Sequence, residues 1–185
     1  MNGERNVDAA AQGQAMSALP ESYWRIIAPL IDTARGFLEK GESLAPVAFV
    51  GAFSSSSCVP VLMQTSSEET KDQSARAIQA AAEVFDADFI FVLMEAWSLR
   101  EDKVAQMETI LEKYGSIGAS PYAVDIVSMA LETRRGVWIA QVPIRPKGIS
   151  KKKRTIGTPE FRHFKEYAGR FVNLLPVKDG ADTLH

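Results

Sequence analysis

The chain has 185 residues, is 46% hydrophobic and 24% charged, and carries a net charge of −2, enough apolar material for one ordinary globular domain that needs no staples. A lone cysteine, Cys58, excludes an internal disulfide, and with only two histidines, one of them the terminal His185, it excludes a Cys/His zinc site built within one chain. No apolar run reaches bilayer-spanning length and the start lacks a basic-then-apolar secretory pattern, so a cytoplasmic protein that does not enter a membrane is expected.

Residues 1–18, rich in Ala, Gln, Asn and Gly, have little to bury and are expected as a tail without fixed structure, followed by one α/β domain over 19–178 and a flexible end over 179–185. Trp24, Ile27, Ile31, Ala34 and Leu38 recur at helical spacing, with Pro20 suited to the first turn and Gly41 to the C-terminal cap; Pro29 predicts a bend within a single helix. "VAFVGAF" (Val47 to Phe53) and "VPVLMQT" (Val59 to Thr65) predict an antiparallel hairpin, with Pro60 marking an edge. Ser66 and Glu69 read as a capping box opening a second helix that buries Ala75, Ile78, Ala82 and Phe85.

The near-continuous apolar run "DFIFVLMEAW" predicts a central strand covered on both faces. Val104, Met107, Leu111 and Tyr114 are spaced for a third helix ending at Gly115. The stretch from Tyr122 to Ile144 reads as a hairpin turning at Arg134-Arg135-Gly136, with Ile126, Ser128 and Ala130 on one face and Asp125, Val127, Met129 and Leu131 on the other. Phe161, Phe164, Ala168, Phe171 and Leu175 predict a final amphipathic helix opened by Thr158-Pro159-Glu160. The expected fold is therefore an α/β (α+β) domain of order αββαβαββα: a five-stranded, mixed but mostly antiparallel sheet with helices packed on its faces.

The common phosphate-cradling motifs are absent, and a Ser-His-Asp device would have to use His163. Glu95 is the one candidate carboxylate, placed at the exit of the central strand, where ligands collect in open α/β sheets. Its expected partners are Glu68, Glu69 and Asp72 at the start of the second helix, or Arg134 and Arg135; the structural alternative is a cap on the Ser98 to Glu101 backbone or a pair with Arg100. Glu95, Trp97, Arg134 and Arg135 are the expected ligand or partner contacts. Cys58 is expected as a small buried thiol, the alternative being a nucleophile if His163 approaches it, and Trp138 as a residue packed on the sheet. No cofactor or metal is implied.

Arg145, Lys147, Lys151, Lys152, Lys153 and Arg154 place six positive charges in "RPKGISKKKR" without an acid, so against the net −2 the rest of the chain carries −8. Such a run is ordinarily a solvated loop, and it is also what attracts a phosphate backbone.

The element order resembles that of cytidine-deaminase-like folds, which place His-x-Glu at the second helix and Pro-Cys-x-x-Cys after the third strand. Here those places hold "SSEETKDQS" and "EAWSLREDK", so the resemblance implies a fold and no zinc chemistry. "DADFIFVLMEAWSL" after an Ala-rich helix, over roughly residues 70 to 100, resembles a group of uncharacterised bacterial and phage-associated proteins whose strand ends in Glu-Ala-Trp, and that resemblance implies no activity. The leading expectation is a non-enzymatic interaction or accessory domain that contacts a protein partner or itself. The alternatives are a nucleic-acid-associated protein using residues 145–154, and a hydrolase-like enzyme centred on Glu95.

Overall fold

The computed structural model of the protein describes residues 18–55 and 57–177; the expected tails lie almost wholly outside them. Helix α1 spans Glu21–Lys40. The Pro20 carbonyl accepts from the N–H groups of Tyr23 and Trp24, at 3.0 and 3.1 Å. The helix closes at Gly41 with φ of 87°, a left-handed turn that only glycine adopts without strain. Pro29 does not divide it.

Strands β1 (Val47–Ala52) and β2 (Ser57–Leu62) form the expected antiparallel hairpin. Helix α2 (Glu68–Val84) follows, then β3 (Phe89–Leu99), a short 3-10 turn and helix α3 (Met107–Tyr114). The hairpin β4 (Ala123–Thr133) and β5 (Gly136–Pro146) turns where Arg134 and Arg135 were expected. Two three-residue strands, β6 (Arg154–Ile156) and β7 (Arg162–Phe164), close the order.

The sheet runs β2-β1-β3-β4-β5-β6, with β7 also paired to β5, and every pairing is antiparallel. β3 lies between β1 and β4 along its apolar half, so it is the buried axis that its composition predicts. Alternation then sorts its side chains. Phe89, Phe91 and Leu93 join Val127, Met129, Leu131, Trp138 and Ala140 beneath α1, while Ile90 and Val92 join Ala48, Val50 and Ala130 beneath α2. The sheet thus sits between two helical layers and curls so that β6 flanks α1, with Arg35 donating to the Ile156 carbonyl at 3.1 Å. Glycine is required at position 51 of β1: a Cβ there would lie 2.0 Å from the Phe89 ring.

β2 is the outer strand. Met63 N–H donates to the Pro46 carbonyl at 2.9 Å, and strand alternation turns the amides of Val61 and Val59 the same way, so position 60 faces away from β1. Proline stands there, as its lack of an N–H permits.

Several expectations are corrected. Among the described residues the sheet has seven strands rather than five, and no parallel pair. The capping box of α2 is made by Ser67 and Thr70 rather than Ser66 and Glu69. Ser74 takes a buried place on α2, its hydroxyl accepting from Gln64 N–H at 2.8 Å, whereas Phe85 is half exposed. Val104 lies in the 3-10 turn, and Ile110 is the residue that α3 buries.

The largest difference is the last helix, which does not form. β5 is eleven residues long and would otherwise present an open edge; β6 covers its residues 144–146 and β7 its residues 137–139. Beyond β7 the chain crosses the α2 face as an irregular strap over residues 165–177, with Asn173 at φ of 61°. The apolar residues that mimic a helical stripe serve opposite layers. Phe161 packs with the α1 side, edge-on to Trp24, and Phe171 and Leu175 pack on the α2 side. A single helical stripe faces one way only.

Candidate functional site

Glu95 is not at the exit of β3 but at the seventh of its eleven positions. It continues the face of Phe91 and Leu93 past the end of α1, where the loop after Gly41 covers the sheet. Its Oε1 accepts from Leu44 N–H at 2.7 Å. Arg154 of β6 reaches across to it with both terminal guanidinium nitrogens, Nη1 to Oε2 at 2.7 Å and Nη2 to Oε1 at 3.2 Å. The same Nη2 donates to the Glu42 carbonyl at 3.1 Å. Ile156 points into the α1-side core, and alternation two residues back aims Arg154 to that side.

Burial alone would raise the Glu95 carboxyl, but the Arg154 hydrogen bonds, the Leu44 amide and the Arg154 charge together hold it below its ordinary value. Glu95 also pulls Arg154 upward, with Asp125 adding to the field. This pair is a clasp between the central strand and the curled edge. Glu68, Glu69 and Asp72, the expected partners, stand on α2, across the sheet, and Arg100 pairs instead with Asp102 at 2.9 Å. Trp97 is largely exposed and lies against Gly118, where an added Cβ would come within 2.8 Å of its ring.

The other expected contacts are also turned toward the chain itself. Arg134 donates to the Pro176 carbonyl at 2.9 Å and to the Ala87 carbonyl at 3.0 Å. The carbonyl of Arg135 meets His163 Nε2 at 2.8 Å, and that imidazole stacks on Trp138 with centroids 4.2 Å apart. His163 sits on β7 rather than on a helix, at the opposite sheet edge from Cys58, whose thiol burial pushes up. A Cys-His pair is therefore not assembled.

Two side chains that hold the fold together escape the sequence reading. Glu132, buried on the α2 face of β4, accepts from Leu174 N–H through Oε2 and from Leu175 N–H through Oε1, both at 3.0 Å. Arg170 holds the strap to the start of α2 through Asp72, at 2.9 Å, and Glu68. The one available signal is Glu132 itself, an acid on the face that Ile126, Ser128 and Ala130 give to the interior.

The basic run forms the hairpin between β5 and β6. Lys147 N–H donates to the Lys153 carbonyl at 2.8 Å, and Ser150 Oγ accepts from the amides of Lys152 and Lys153 at 3.4 and 3.2 Å. Lys147 pairs with Glu39 at the end of α1 and Arg154 with Glu95, so the two ends of the run are anchored. Arg145, Lys151, Lys152 and Lys153 are exposed and have no ion-pair partner among the described residues. Ile149, fully exposed, sits between the two halves of the run.

The chain matches no family model, no curated protein and no solved structure. No helix among the described residues is long and apolar enough to cross a membrane.

Proposed function

We propose that the chain is a non-enzymatic accessory domain that binds the phosphate backbone of nucleic acid through the β5–β6 hairpin. The observation that carries this reading is the division of the six cations. Lys147 and Arg154 are neutralised by Glu39 and Glu95 and fix the hairpin to the body, while Arg145, Lys151, Lys152 and Lys153 are left to solvent. A solvated loop needs no such anchoring, whereas a phosphate-binding element gains from it, because less chain freedom is lost when the complex forms. The non-enzymatic half rests on Glu95, whose oxygens are committed to Arg154 and Leu44.

Four phosphate contacts would release four counterions, so log K should fall against log salt with a slope of about −3.6 on duplex DNA or about −2.8 on single strands. Retention of a labelled oligonucleotide by the full chain, measured over a series of salt concentrations, tests this. Changing Lys151, Lys152 and Lys153 together to Ala is expected to abolish retention at low salt and leave unfolding unchanged; undiminished retention would overturn the proposal.

A further inference from the structure

We infer that the bound form is duplex DNA and that Ile149 enters it as an apolar wedge, kinking the helix. This rests on the nucleic-acid reading and deepens it. Ile149 contributes to neither core cluster and is fully exposed at the tip of the hairpin, so its side chain does nothing for folding. Gly148 beside it takes φ of 63° and has open space where a Cβ would stand, a backbone that turns the tip outward.

Behind the tip the loop is fixed. Ser150 Oγ gathers the two following amides, Lys147 closes the base on Lys153, and the Lys152 carbonyl lies 3.4 Å from the Cβ position of Gly41 at the end of α1. The loop between β5 and β6 therefore carries one branched aliphatic residue, with the exposed Lys151, Lys152 and Lys153 following it and the exposed Arg145 on the strand that leads into it. Duplex DNA suits that combination: its phosphates line both sides of a groove, its narrow minor groove concentrates negative potential, and apolar side chains inserted between base steps unstack and bend it. Single strands offer phosphates but no paired step held between two backbones whose opening would kink a helix.

The test uses the full chain and a duplex of about 30 base pairs with a fluorophore at each end, so that bending brings the dyes together. The wild type should shorten the end-to-end distance by an amount matching a bend of roughly 20–90°. Ile149→Ala, at a fully exposed position outside both core clusters, should still bind with an unchanged salt slope but lose the bend. The Lys151, Lys152 and Lys153 triple substitution should lose binding itself. Duplex bound straight by the wild type, an Ile149→Ala protein that bends equally, or binding confined to single strands would overturn the wedge while leaving backbone binding standing. Absence of binding to any nucleic acid at low salt would overturn both. Ile149-dependent capture by phosphatidylserine vesicles, with no retention of duplex, would overturn both and assign the hairpin to an anionic bilayer.

Discussion

Arg154→Ala would leave Glu95 half-buried with a single backbone donor. The expected loss is about 1–2 kcal/mol in urea unfolding, below that of a fully buried pair because water still reaches both groups. The pH dependence has a defined sign. The Glu95 carboxyl is held below its ordinary value in the folded chain, so its contribution is complete above the unfolded glutamate pKa of about 4.3 and disappears as pH falls through the lower folded value. Glu95→Gln should therefore flatten the acid side of the stability profile, measured from pH 6 downward in steps; an unchanged profile would count against the clasp. Gly51→Ala should cost about 1–3 kcal/mol by forcing the Phe89 ring aside. Sequence reading singles out Glu95, because an acid in an apolar strand stands out. It does not find Arg154, fifty-nine positions away in a run of like charges, where only the two-residue step to Ile156 distinguishes an inward arginine from its solvated neighbours.

The strap over residues 165–177 shows where element-level reading stops. Helical spacing of Phe161, Phe164, Ala168, Phe171 and Leu175 is a statement about sequence intervals, and here the intervals serve two opposite faces joined by a short strand. The need that decides the matter, an uncovered β5 edge, is non-local and is not written in the segment that satisfies it. By contrast, the β1–β2 hairpin, α1 with its Gly41 cap and the β4–β5 turn are specified by adjacent residues, and these are legible. Ending the chain after Lys165 would remove Phe171, Leu174 and Leu175 from the α2-side cluster and strip Glu132 of both amide donors. The shortened chain should bind an apolar dye strongly. A gentler change, Glu132→Ala, should speed hydrogen exchange at Leu174 and Leu175 far more than at β3 amides and cost about 1.5–3 kcal/mol, since two charge-assisted hydrogen bonds are lost.

Across the whole molecule, the two sheet borders are treated differently. One border ends in β6 and β7, tied down by Arg35, Arg154 and His163. The other ends in β2 with nothing beside it among the described residues. Chains with a bare rim ordinarily risk stacking rim to rim into fibres, and here the pyrrolidine of Pro60 interrupts the outward row of donors at its middle, leaving only Cys58 and Leu62 to either side. Pro60→Val would restore an unbroken row on a strand already rich in valine. Light scattering at rising protein concentration should then report growth into long assemblies, while the parent chain stays dispersed: one ring closure in one side chain sets whether this molecule can template its own polymer.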